Sequence, residues 1–160
     1  MARVVIFARN RICIDLINSL VARDDDVVAV FSATAAPEYS VTKEEIKKHC
    51  KQLNIPFYSV LNSQKIHDIL EEKTPDIGLT ANFPLIFNQE IIGMFTHGII
   101  NAHGGDLPRY RGNACQAWAI LNGEKEIVLC AHLVEPENVD CGRIIKKLLL
   151  PITSATRVGE

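Results

Sequence analysis

Short β-branched apolar runs alternate with segments of helical periodicity along most of this chain, and that alternation constrains the fold more than any other feature. Residues 3–7, 27–31, 56–60 and 75–80 read as strands, bounded by polar or turn-forming residues. Between them, Ile12, Leu16, Ile17 and Leu20 recur at helical spacing, with Asn10 placed to cap. Thr42 opens a second helix to about residue 53 with a capping-box pattern whose acidic partner is Glu45. Residues 63–72 read as a third helix and 88–93 as a short fourth. The fold class expected is α/β: a mostly parallel, Rossmann-like sheet with flanking helices. The first strand-to-helix turn, residues 7–11, contains no glycine, so the GxGxxG dinucleotide fingerprint is absent.

The second half is organised around residues 99–112. The apolar run 98–100 ends at Asn101 and His103. Two apart on an extended chain, these side chains share a face. The chain then turns through Gly104, Gly105 and Pro108 before a helix over 114–121. Strands are expected at 127–134 and 143–150, with the turn-rich stretch 135–139 and Asp140 between them. Asp140 is thereby expected at the same carboxyl edge as Asn101 and His103, where open α/β sheets bind ligands.

Histidine carries protons near neutral pH, an amide N–H can face a developing oxyanion, and a carboxylate can orient an imidazole or relay a proton. On spacing alone the three serve equally well as turn caps and a surface histidine.

With 160 residues the chain suits one domain. A net charge of −2 gives no global attraction to nucleic acid or anionic membrane. No apolar run reaches the roughly 18 residues of a membrane span, and the N-terminal run is too short for a signal peptide, so a cytoplasmic location is expected. Five cysteines without a CxxC pair suggest free thiols and no metal site.

Four blocks occur in order: Asn101-Ala102-His103; Leu107-Pro108-Arg109-Tyr110-Arg111-Gly112; Trp118 through Glu124; and Val139-Asp140-Cys141-Gly142-Arg143. Together they resemble the catalytic domain of the 10-formyltetrahydrofolate-dependent formyltransferases. That family includes methionyl-tRNA, glycinamide ribonucleotide and sugar-nucleotide enzymes. The resemblance implies that 10-formyltetrahydrofolate is the formyl donor and that a small-molecule amine attacks it directly. Asn101, His103 and Asp140 take the catalytic positions. Asn101 and His103 would stabilise the oxyanion, and Asp140 would help move the proton. The resemblance also places the pterin between Phe83, Leu85, Ile86 and Phe87 on one side and Glu135, Pro136, Glu137, Asn138 and Val139 on the other. A near-isosteric change of Asn101 to Asp is then expected to spare the fold and cost activity.

Arg109 and Arg111 are expected to brace the turn, Trp118 to lie in the core, and Cys141 to have no chemical role. The sequence departs from the family after His103, where Gly104-Gly105-Asp106 stands. The glycine-rich phosphate loop of the purine enzyme is missing, as is the basic insertion of the tRNA enzyme. By elimination the acceptor expected is an amino-sugar nucleotide rather than a nucleic acid. A methionyl-tRNA or other amine formyltransferase, a formyltetrahydrofolate hydrolase and a non-catalytic folate-binding module are the alternatives. Residues 1–160 are expected to be a catalytic domain that stops before its last helix, with any oligomer formed through a C-terminal region.

Overall fold

The computed structural model describes residues 1–34, 36, 39–59, 61–136 and 138–157. Its elements run β1 (Arg3–Ala8), α1 (Asn10–Val21), β2 (Asp26–Phe31), α2 (Lys43–Gln52), β3 (Phe57–Tyr58) and α3 (Ser63–Glu71). They continue with β4 (Ile77–Ala81), α4 (Gln89–Gly93), β5 (Ile99–His103), α5 (Cys115–Leu121), β6 (Glu126–Leu133) and β7 (Ile144–Pro151). One sheet has the strand order β3-β2-β1-β4-β5-β6-β7. The first five strands are parallel, while β6 and β7 are antiparallel to their neighbours. The chain direction across the sheet reverses between β1 and β4, which creates the crevice where such folds take ligands.

Both faces of β1 are buried, and its alternation sorts side chains between two cores. Val5 and Phe7 join Phe31, Ile66, Leu70, Ile91 and Ile99 under α3 and α4. Ile6 and Ala8 join Val30, Cys13, Ile17, Ile46 and Cys50 under α1 and α2. Phe7 stacks on Phe31 at 5.0 Å and meets Phe87 edge-on at 4.8 Å. Each fully buried large apolar side chain contributes about 1.5–3 kcal/mol.

Local signals explain most boundaries. Thr42 accepts from the Glu45 N–H, and the Glu45 carboxylate accepts from the Thr42 N–H, closing the capping box. Asn10 acts differently from the expected cap. It is the first helical residue, sits at φ 59°, and its Oδ1 accepts from the Ile12 N–H. Asparagine tolerates that left-handed geometry because its short side chain bonds locally. The strand expected at 56–60 shortens to Phe57–Tyr58, and Val60 lies outside the described residues.

One expectation fails on tertiary grounds, and another, the placement of Asp140 beside Asn101 and His103, is met by a different route. Trp118 is 56% exposed rather than core, because α5 buries only the stripe of Cys115 and Ala119. Strand polarity does not bring Asp140 to the carboxyl edge. β6 runs antiparallel, and its Leu133 pairs with Ile100 near the start of β5. The chain after Leu133 then reverses, with Val134 packed on the α3/α4 core, and delivers Asp140. Among the described residues, no helix is long and apolar enough to cross a membrane.

Candidate active site

Strand register assembles the polar cluster. Asn101 pairs with His132 and His103 with Cys130 across β5 and β6, so all four side chains share one face. Asp140 descends onto that face. Its Oδ1 accepts from Asn101 Nδ2 at 3.2 Å and lies 3.3 Å from His132 Nε2. Its Oδ2 accepts from the Gly112 N–H at 2.9 Å and lies 3.4 Å from His103 Nδ1. His103 and His132 are 7% and 2% exposed, and the Asp140 side chain is 8% exposed. A buried carboxylate with this many donors is held as the anion.

The motif spacings have local causes. Gly112 sits at φ +84°, a geometry costly for other residues, and so turns its N–H towards Asp140. Asp140 itself is left-handed at φ 53°. A Cβ on Gly142 would fall 1.8 Å from the Leu133 carbonyl oxygen, so the start of β7 can tuck against β6 only with glycine there. Those contacts account for the Asp-x-Gly pattern and for the glycine that closes Leu-Pro-x-x-x-Gly.

Protonation follows from the partners. His132 Nδ1 lies 2.8 Å from the Leu133 carbonyl, which fixes the proton on Nδ1 and leaves Nε2 to titrate. Burial pushes its pKa down, but the Asp140 carboxylate and the Leu133 carbonyl outweigh burial, and the net shift is upward. For Asp140, burial raises the pKa, yet His132, the Gly112 N–H and the charge of His103 outweigh it and hold the carboxyl below its ordinary range. Cys115 Sγ lies 3.6 Å from His103 Nε2, but burial and then Asp140 push the thiol upward, so it stays protonated. Cys141 is exposed and bonds only the Val139 carbonyl among the described contacts.

The cluster heads a cleft of about 840 Å³. Phe83, Leu85 and Ile86 line it, and so do Glu135, Asn138 and Val139. Phe87 also borders the cleft, but it is 3% exposed and spends its ring on the aromatic core. Pro136 is outside the lining, and Glu137 lies outside the described residues. Arg109 braces the turn, pairing with Glu124 at 3.0 Å and Asp106 at 3.7 Å.

Sequence reasoning missed His132, Cys115 and the Gly112 N–H. Period-two alternation puts His132 on the face of Cys130, but only the antiparallel register sets it against Asn101. That amide is also differently occupied than expected. Its Nδ2 lies 3.2 Å from Asp140 and 3.1 Å from His132, so its donors stay within the cluster.

An open α/β sheet with a cluster of ionisable side chains at the head of a cleft is the arrangement in which Rossmann-like folds take ligands. The formyl transferase family matches residues 2–160, and the chain belongs to that family. It is 35% identical to a methionyl-tRNA formyltransferase of Clostridium beijerinckii, over 76% of this chain and 39% of that protein. A second such enzyme, from Pelotomaculum thermopropionicum, is 30% identical over 98% of this chain and 51% of its own length. The chain thus spans about half or less of these relatives. Two solved structures share the fold. A formyltetrahydrofolate deformylase from Pseudomonas syringae pv. tomato has a TM-score of 0.81 at 21% identity, covering 98% of this chain and 53% of that one. A phosphoribosylglycinamide formyltransferase from Bacillus halodurans has 0.79 at 20% identity, covering 97% and 82%.

Proposed function

We propose that this chain transfers a formyl group from 10-formyltetrahydrofolate to an acceptor amine. The observation that carries this reading is the convergence of Asn101, His103, His132 and Asp140 at the head of the cleft. The donor supplies an activated formyl carbon on N10. The aromatic and aliphatic lining of Phe83, Leu85 and Ile86 suits a flat heteroaromatic ring, and main-chain groups of the loop between β6 and β7 can bond its edge.

The amine forms its C–N bond as the formyl C–N10 bond breaks. The amine loses a proton and N10 gains one. Asp140, held as the anion beside two imidazoles, accepts the amine proton directly or through water, and an imidazolium of the cluster returns one towards N10. Asn101 stabilises negative charge on the formyl oxygen through its amide, and His103 does so through the proton it exchanges with Asp140 at Nδ1. For Asn101 this requires one amide hydrogen to leave Asp140 or His132, a small rotation that substrate can induce. No covalent enzyme intermediate is required, in keeping with the protonated Cys115.

For the acceptor we favour the amino group of methionyl-tRNA over an amino-sugar nucleotide. The relatives at 30% identity and above support that choice, and they outweigh the argument from missing insertions. The overall charge of −2 gives this chain little non-specific hold on a phosphate backbone, so the acceptor must be recognised locally. The test is tetrahydrofolate release measured with methionyl-tRNA, with amino-sugar nucleotides and with no amine. Release only with methionyl-tRNA supports the reading. Release only with a sugar nucleotide replaces the acceptor, release without any amine indicates a hydrolase, and folate binding without release removes the transferase reading.

A further inference from the structure

His103 Nε2 lies 2.7 Å from the main-chain carbonyl of Tyr110, a distance at which the ring nitrogen must donate. The ring's other nitrogen faces Asp140 Oδ2 at 3.4 Å. Which nitrogen carries the proton therefore depends on the place of one carbonyl in the loop between β5 and α5.

That loop is tied down from outside the cleft. Leu107 is buried, and Lys147 of β7 donates both to its carbonyl and to Asp106 Oδ1, each at 2.7 Å. The Tyr110 N–H donates to the Asp106 carbonyl at 2.9 Å. The Tyr110 hydroxyl donates to Glu124 Oε1 at 2.9 Å and accepts from Asn122 Nδ2 at 3.0 Å. Arg109 pairs with the same Glu124 oxygen at 3.0 Å and lies 5.0 Å from the centre of the Tyr110 ring. Exposed ion pairs are individually weak. Here they share partners with a hydroxyl and an amide, so both ends of Tyr110 are fixed: its ring at the end of α5, its carbonyl at His103.

We propose that the Tyr110 carbonyl selects the tautomer of His103, and that Tyr110, Glu124 and Arg109 are positioning residues for the chemistry. With Nε2–H committed to the carbonyl, Nδ1 is the atom that exchanges a proton, and it does so against Asp140. Were the carbonyl to withdraw, Asp140 would claim the ring's single proton at Nδ1 and leave Nε2 bare. The same ring would then meet the loop and Asp140 with donor and acceptor reversed. This inference rests on the formyl-transfer reading for its kinetic consequence but not for its tautomer.

The experiment joins long-range proton–nitrogen spectra of the histidine rings to steady-state kinetics. The variants are Tyr110→Phe, Glu124→Ala and Glu124→Gln. Wild type should show His103 as the Nε2–H form. Tyr110→Phe keeps the carbonyl but loses the hydroxyl anchor. It should move His103 towards the Nδ1–H form, shift the pH–rate profile, and lower kcat about 10- to 100-fold with the donor KM unchanged. Glu124→Ala should do the same. Glu124→Gln still accepts from the Tyr110 hydroxyl and should recover most of the rate. Gly105→Ala acts independently, since its Cβ would fall 2.6 Å from both His103 Nε2 and the Tyr110 carbonyl oxygen. It too should disturb the tautomer. An unchanged Nε2–H signal with wild-type kcat in Tyr110→Phe would overturn the proposal. A wild-type protein that formylates no amine, yet loses its Nε2–H signal in Tyr110→Phe, would remove the enzyme reading while upholding the tautomer brace.

Discussion

Replacing Asn101 by aspartate probes the cluster most directly. Asn101 Nδ2 lies 3.2 Å from Asp140 Oδ1 and donates to it. Asn101→Asp converts that attraction into a carboxylate pair at about the same spacing. At an effective dielectric of about 20, two unit charges so placed repel by roughly 5 kcal/mol. The cost has a ceiling, because the pair can hold one proton instead. Starting from an ordinary aspartate pKa of about 3.9, that proton costs about 1.5 kcal/mol at pH 5 and about 5.6 kcal/mol at pH 8. The stability deficit should therefore grow from about 1.5 kcal/mol at pH 5 to about 4–5 kcal/mol at pH 8, with His132 offsetting part. The sign agrees with linkage: the folded variant binds a proton that the unfolded chain has released, so its stability falls as pH rises. Urea melts of variant and wild type at both pH values measure the deficit. A deficit equal at the two pH values would refute the placement of Asp140 against Asn101. The near-isosteric exchange that sequence alone treats as harmless to the fold is thus expected to be costly above neutrality.

Other outcomes follow from the same contacts. Asp140→Asn removes the anion that lifts His132 and leaves burial opposed only by the Leu133 carbonyl, so His132 should titrate lower by NMR than in wild type. In wild type the raised His132 stabilises below its unfolded pKa and loses that as pH rises through its folded one. The lowered Asp140 stabilises above its unfolded pKa and loses that as pH falls through its folded one. The stability gap to Asp140→Asn should therefore peak between about pH 4 and 6.5 in chemical melts. His103→Ala should lower tetrahydrofolate release about 10²- to 10⁴-fold while the melting curve shows a folded protein. Gly142→Ala should destabilise by about 3 kcal/mol, the upper end for overpacking, because its Cβ meets main chain that cannot move aside; a shift under about 1 kcal/mol would contradict the tuck of β7. Thr42→Ala should cost about 1 kcal/mol through the lost capping box, read from urea midpoints.

The sequence by itself determined the α/β class, because period-two and period-3.6 patterns are local and survive in one dimension. It determined the start of α2, since a capping box is closed by residues three apart. It also brought Asn101, His103 and Asp140 forward as a set, although from motifs rather than from geometry. Tertiary structure decided the rest. The antiparallel polarity of β6 is invisible in an apolar run, since a strand reads alike in either direction, and that polarity alone sets His132 against Asn101. Trp118 looked like core by residue type, yet α5 is too short and too narrowly packed to bury it. Asp140 reached the site by a reversal of the chain between β6 and β7, not by lying at the end of a parallel strand. The tautomer of His103 depends on a main-chain carbonyl seven residues away. Backbone groups carry no residue signature, so only the folded loop shows where that oxygen points.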